Sequence, residues 1–219
     1  MMQSLCGVVL CGGESRRMGR DKGSLQIGQT VWALHMTGKL DFLQIPVFYS
    51  VNERQLAAYS SFIPPDRLIV DTESVRGPLK GLLSAHRALP GLDLLLLACD
   101  MLDLDRQTLE RLVNAYNGDA SRVGNHHEAG YRGGREFDFF VFQDGQRAQP
   151  LCGIYTSQGL TQISDSPGEQ AKGDGKEPTN AAGPGGPDYS LQSILKRGRT
   201  QLLEMTGAAA FRNYNSPEQ

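Results

Sequence analysis

The sequence predicts an α/β fold, a doubly wound and mostly parallel sheet with helices on both faces. Three observations predict it. Strand-like and helix-like segments alternate through the first half of the chain. Residues 94–99 (LLLLAC) form a continuous apolar run, the pattern of a strand buried on both faces. Leu109, Leu112, Val113 and Tyr116 recur at i, i+3, i+4 and i+7 spacing, which marks an amphipathic helix.

Each element has its own signal. Residues 5–11 (LCGVVLC) read as the first strand, and residues 31–40 can form the helix after it. Residues 45–51 (IPVFYSV) are β-branched and aromatic, as a second strand requires. Residues 68–71 (LIVD) are a short third strand. Gly77-Pro78 opens a helix: proline fits the first turn, and Leu79, Leu82 and Leu83 supply one apolar face. Residues 139–142 and 151–155 can pair as antiparallel strands, and residues 190–197 (SLQSILKR) form a short helix. The expected architecture is therefore Rossmann-like, with a small antiparallel C-terminal part. Residues 165–187 hold four prolines and six glycines and no aromatic residue. Such a segment buries too little apolar area to offset its ordering entropy, so it is expected to be a disordered surface insertion. There is no internal repeat.

Bulk properties narrow the function. A chain of 219 residues suits one α/β domain with a real core better than two small ones, so residues 1–219 read as a single domain. A net charge of −2 excludes general electrostatic capture of nucleic acid or membrane, and anion binding must come from a local site. No apolar run approaches the ~20 residues of a membrane helix. The N-terminus has no basic residue before its apolar stretch and makes a poor signal peptide. Cys6, Cys11, Cys99 and Cys152 form no C-x-x-C pair, and they read as reduced core residues of a cytoplasmic protein.

The chemistry concentrates in residues 10–22, LCGGESRRMGRDK, directly after the first strand. Gly12 and Gly13 let the backbone turn sharply and approach a ligand closely. Exposed N–H groups in such a turn form an anion nest. Arg17 and Lys22 add fixed positive charge, the first as a bidentate fork and the second as a point charge. Strand, glycines, arginine and lysine are what triphosphate binding requires, although no P-loop signature is present. Read on spacing alone, the segment is also compatible with an ordinary strand-to-loop turn carrying solvated basic residues. Asp100 ends the buried run, at the carboxyl end of a parallel strand where open α/β sheets bind ligands. A lone carboxylate there suits Mg²⁺, which takes one or two carboxylates plus phosphates and water. The other reading of Asp100 is a helix cap or structural ion pair, and Asp103 and Asp105 are expected to cap the next helix. His126-His127 reads as a loop and Trp32 as packing.

LCGGESRRMGRDK resembles the signature L-A-G-G-x-S-x-R-M-G-x-D-K of molybdenum cofactor guanylyltransferases and related nucleotidyltransferases, with Cys11 in place of alanine. RGPLKG at 76–81 resembles the family's P-G-P-L-x-G segment. Gln149-Pro150-Leu151 resembles its H/Q-P segment, and NYNSPE at 213–218 its terminal N-x-N-T/S-P-E. The matches span nearly the whole chain apart from residues 165–187. The resemblance implies transfer of GMP from GTP to the phosphate of the molybdopterin cofactor, giving the guanine dinucleotide cofactor and pyrophosphate. It implies nucleotide binding by Leu10, Cys11, Gly12, Gly13, Lys22, Ser50, Asp71 and Asp100. Ser50 falls where the family has a nucleotide-contacting Asn, with Asn52 two residues on. Lys22, Arg17 and Asp100 carry catalysis in this reading, with Mg²⁺ on Asp100. Asn213 and Asn215 either lie near the acceptor phosphate or form a turn. Gly13 and Gly77-Pro78-Leu79 match guanine-selective members rather than cytosine-selective ones. Expected partners are GTP, the molybdopterin cofactor, and proteins of molybdenum insertion or molybdoenzyme maturation. Two rivals remain: a sister cytidylyltransferase or sugar-phosphate nucleotidyltransferase, and a non-catalytic binding protein in cofactor delivery.

Overall fold

The computed structural model describes residues 5–12, 21–118, 136–164, 190–206, 208–212 and 214. Residues 165–187 and His126-His127 lie outside them. Seven strands form one sheet in the order β5-β4-β1-β6-β8-β7-β9. These are β1 (Leu5–Leu10), β4 (Val47–Val51), β5 (Leu68–Val70), β6 (Asp93–Ala98), β7 (Phe139–Asp144), β8 (Arg147–Tyr155) and β9 (Thr200–Glu204). A separate two-stranded ribbon joins β2 (Gln26–Ile27) to β3 (Thr30–Val31). In the main sheet β5, β4, β1 and β6 pair in parallel, β8 runs against β6 and β7, and β9 is parallel to β7. The antiparallel part expected near the C-terminus is thus the single reversed strand β8, built into the main sheet.

Side-chain alternation explains why the central strands read as unbroken apolar runs. On β6, Leu95 and Leu97 enter one buried cluster while Leu94 and Leu96 enter another, and all four are fully buried. On β1, Val9 joins the first cluster, and Cys6, Val8 and Leu10 the second. Helices α1 (Trp32–Gly38) and α4 (Arg106–Tyr116) cover the first face through Ala33, Met36, Leu109 and Leu112. Helices α3 (Pro78–Ala88), α5 (Ser157–Ser164) and α6 (Leu191–Arg197) cover the second through Leu79, Leu82, Leu160 and Ile194. A short α2 (Leu56–Tyr59) follows β4. Trp32 packs in the core at 1% exposure, as expected.

Local signals place the ends. Asp105 caps α4 by accepting from the Thr108 N–H at 2.7 Å. Asp103 does not cap; its carboxylate accepts from the Tyr214 hydroxyl at 2.6 Å. Ser190 and Ser193 form a reciprocal capping box at α6. Gly77 has φ +69°, a left-handed conformation that favours glycine, and it turns the chain into Pro78 at the first turn of α3. The buried carboxylate of Asp93 accepts from the Tyr116 hydroxyl and the Ser157 N–H, both at 2.7 Å, which fastens α4 and α5 to the start of β6. Sequence reading had no signal for α2, α5, β9 or the β2–β3 ribbon. These are short, and β9 exists because β7 offers it an open edge.

Burial on both faces has a measurable consequence. Leu95→Ala and Leu96→Ala point to opposite layers, and each is expected to cost about 2–5 kcal/mol in urea unfolding. A cost under about 1 kcal/mol at either would place that face of the sheet against solvent.

Candidate active site

The sheet orders the site. β1 lies between β4 and β6, and the chain leaves β1 for β4 and β5 on one side before returning to β6 on the other. This reversal opens a crevice at the carboxyl ends of the strands, the general ligand position in open α/β sheets. Parallel register puts Leu10 level with Ser50 and with Ala98. The residues just beyond, Cys11, Gly12 and Asp100, therefore emerge along one edge, with Asp71 following β5.

On the β6 side, Lys22 and Asp100 meet. Lys22 Nζ donates to Asp100 Oδ2 at 2.8 Å and to the Tyr214 carbonyl at 3.0 Å. The pair is partly buried, with side-chain exposures of 21% and 15%. Tyr214 also donates its N–H to the Asp100 carbonyl at 3.1 Å. Its ring meets Trp32 edge-on with centroids 6.5 Å apart. Tyr214 is thus fastened to both halves of the ion pair, a contact with no signal in the linear pattern of residues. Asn213 and Asn215 flank it but lie outside the described residues, as do Arg17 and Gly13.

On the β5 side, Asp71 and Ser50 meet. The fully buried Ser50 hydroxyl donates to Asp71 Oδ1 at 2.6 Å, and the Asp71 N–H donates to the Val51 carbonyl at 2.8 Å. Gly12 lies against this carboxylate: a Cβ there would collide with Asp71 Oδ2. The glycine is required by this close approach. Its N–H and that of Cys11 both donate to the Ser50 carbonyl at 2.9 Å. These two donors belong to the sheet edge and not to an anion nest, which corrects the sequence expectation for this end of the loop. Asn52 is spent on its own turn: its side-chain oxygen accepts from the Gln55 N–H at 3.1 Å. Burial pushes the Asp71 carboxyl above its ordinary range, partly opposed by the Ser50 hydrogen bond and by Lys80.

The cysteines are free and buried. Burial pushes the Cys6 and Cys152 thiols up to about 12. Burial, then hydrogen bonding to Cys99, drives Cys11 well above its ordinary value. Such thiols are poor nucleophiles, consistent with the reading of reduced core residues. Among the described residues no three His, Cys, Asp or Glu side chains cluster as a metal site. No helix among them is long and apolar enough to cross a membrane.

Beside the crevice lies a cavity of about 450 Å³ whose wall includes Arg76, Leu79, Met101, Arg147, Pro150 and Phe211. It brings together two segments singled out in the sequence, Gly77–Leu79 and Gln149–Leu151, with Met101 directly after Asp100.

The raised carboxyl of Asp71 gives a sign-definite prediction. A folded-state pKa above the unfolded one means that ionising Asp71 destabilises the fold, so its contribution is most favourable at acid pH and is lost as pH rises through the folded value. Asp71→Asn removes this penalty. The variant is expected to be more stable than wild type at neutral pH, with the gap closing as pH falls through the carboxylate range. Parallel thermal melts across pH check this, and a gap independent of pH would contradict the burial argument.

Comparison with known proteins identifies the family. The model of the MobA-like NTP transferase domain matches residues 7–176. The molybdenum cofactor guanylyltransferase of Pseudomonas putida is 28% identical over 216 residues, covering 97% of this chain and 93% of that protein. The molybdenum cofactor biosynthesis bifunctional protein of Synechocystis sp. is 32% identical over 111 residues, and the match spans 50% of this chain but only 31% of that protein. The crystal structure of molybdopterin-guanine dinucleotide biosynthesis protein A from Archaeoglobus fulgidus superimposes with a TM-score of 0.63 at 16% identity, covering 97% of this chain and 93% of that one, which shows a shared fold. The chain belongs to the MobA-like NTP transferase family and is a nucleotidyltransferase.

Proposed function

We propose that the chain transfers GMP from GTP to the phosphate of the molybdopterin cofactor, releasing pyrophosphate. The observation that carries this reading is the meeting of Lys22 and Asp100 in the crevice beside β1, after a glycine loop, in a chain aligned over almost its full length with a guanylyltransferase.

Transfer at an α-phosphate brings an anionic acceptor toward a polyanionic nucleotide, so catalysis is mostly positioning and charge neutralisation. Lys22 supplies a positive charge that neutralises the α-phosphate and the leaving pyrophosphate. Arg17, in the same loop sequence, grips the triphosphate. The acceptor phosphate is already nucleophilic, so the reaction requires no general base. Asp71, braced by Ser50 against Gly12, offers carboxylate acceptors to the donor edge of guanine. Adenine lacks that edge, and a site built for it leaves polar groups unpaired with the wrong base, at roughly 1–3 kcal/mol each.

The donor set fits Mg²⁺. Asp100 provides one hard carboxylate at the crevice, its Oδ1 is not used by the Lys22 ion pair, and a metal of this kind completes its shell with phosphate and water. Asp100 would hold the ion, which when bound acts as a Lewis acid on phosphate oxygens.

The acceptor belongs in the 450 Å³ cavity next to Met101. Its volume lies in the range of small-molecule sites, and Arg76 and Arg147 on its wall suit an anionic ligand. Asn213 and Asn215, on either side of Tyr214, are assigned to the acceptor phosphate.

The test is pyrophosphate release with GTP, CTP or ATP, with Mg²⁺ and molybdenum-loaded pterin as acceptor. GTP is expected to give the highest kcat/KM. A preference for CTP, or turnover with a sugar phosphate in place of the pterin, would assign the chain to a sister enzyme. Nucleotide binding without pyrophosphate release would make it a delivery protein. Lys22→Ala is expected to lower kcat by about 10²–10³ with the fold intact. Asp100→Asn is expected to retain nucleotide binding and lose the Mg²⁺ dependence of turnover. An unchanged Mg²⁺ titration in that variant would remove Asp100 as the metal ligand.

A further inference from the structure

We infer that Gln55 is a positioning residue whose carboxamide ties together the two ends of the loop after β1 and thereby aims Lys22. The inference rests on the functional reading above only in assigning that loop to a nucleotide.

Gln55 stands just before α2 and is 9% exposed. Its Nε2 donates to the Cys11 carbonyl at 2.9 Å and to Asp21 Oδ1 at 2.6 Å. Its Oε1 accepts from the Asn52 N–H at 2.9 Å, and its own N–H donates back to Asn52 Oδ1 at 3.1 Å. Both Nε2 partners are obligate acceptors and the Oε1 partner is an obligate donor, so chemistry fixes the orientation of the amide. Cys11 and Asp21 bracket residues 12–20, which contain most of the glycine-arginine signature. One amide group therefore fastens the entry and the exit of that loop.

The exit leads straight to Lys22. The Ser24 hydroxyl holds the Asp21 carbonyl at 3.0 Å, and the Leu25 N–H donates to the Lys22 carbonyl at 3.0 Å, closing a short 3-10 turn. Gly23 in that turn rests on the Tyr59 hydroxyl, where a Cβ would collide. Tyr59 lies four residues after Gln55, one helical turn on, with its N–H donating to the Gln55 carbonyl at 3.0 Å. Gln55 and Tyr59 thus present one face of a helical turn to both Asp21 and Gly23, the residues on either side of Lys22. A rigid support of this kind is what placement of a point charge at a transferring phosphate demands, because displacement by about 1 Å can cost 10²-fold in rate.

Gln55→Glu puts a carboxylate where Asp21 and the Cys11 carbonyl need a donor. Two facing carboxylates share a proton at acid pH, which restores one hydrogen bond. The other titratable groups packed around this pair are Cys11, Cys99 and Tyr59. Burial raises the Cys11 thiol and the Tyr59 hydroxyl far above the working range, so both stay neutral there.

The experiment measures kcat and KM for GTP in wild type, Gln55→Ala, Gln55→Glu and the double variant Gln55→Glu with Asp21→Asn, alongside thermal unfolding. The expected result is a kcat loss approaching about 10²-fold in the alanine and glutamate variants while they remain folded. Activity of Gln55→Glu relative to wild type should rise as pH falls toward the carboxylate range. Addition of Asp21→Asn, which supplies an amide donor, should recover part of the loss. Wild-type kcat in the folded single variants overturns the inference, as does a loss matched to the unfolded fraction with a pH profile parallel to wild type. If wild type turns over no GTP, the functional reading fails, and amide hydrogen exchange at residues 21–25 decides the clamp. Faster exchange there in Gln55→Ala supports it, and unchanged exchange overturns it.

Discussion

Parallel pairing of β1 with both β4 and β6 sets the level of every strand end in the site. It aligns Leu10 with Ser50 on one side and with Ala98 on the other. The Cys99 N–H donates to the Leu10 carbonyl at 3.2 Å, which carries the alignment one residue past the strand. Everything in the site hangs from strands held in this register. A slip of one residue would turn every side chain of β1 to the opposite layer, and both layers are packed. The burial that stabilises the sheet therefore also sets the level at which the glycine loop and Asp100 leave it.

The crevice holds two carboxylates in different electrostatic circumstances. Asp100 is partnered by an ammonium, and Asp71 by a hydroxyl where burial raises its pKa. The cavity next to Met101 adds two arginines on its wall.

The C-terminal segment reaches the β6 side of the site through a short 3-10 turn, Ala208–Phe211, and through aromatic packing. Phe211 meets Phe142 with centroids 5.1 Å apart, and Tyr214 meets Trp32. These aromatic contacts hold the chain against the sheet and against α1, and Tyr214 then delivers its backbone carbonyl to Lys22. Residues 192 positions apart in the chain thereby come into direct contact.

The fold class is legible in residue order alone, because strands buried on two faces must be apolar throughout and helices buried on one face must repeat every three to four residues. Candidate site residues are legible in the same way: Gly12, Ser50, Asp71 and Asp100 stand at or just past strand ends, where chain order and glycine placement are visible in one dimension, while Lys22 opens a short turn further along the loop. The partnerships arise only in the packed molecule. The Asn52–Gln55 spacing announces a capped turn, but nothing along the chain says that the Gln55 amide reaches Cys11 and Asp21, 44 and 34 residues away. Nothing in LIVD says that Asp71 would lean on Gly12, nor in NYNSPE that a tyrosine backbone would grip Lys22. Periodicity records which face a residue buries, because burial acts on each side chain separately. Hydrogen bonds between distant segments depend on the relative placement of two elements, and that is set only when the whole sheet has packed.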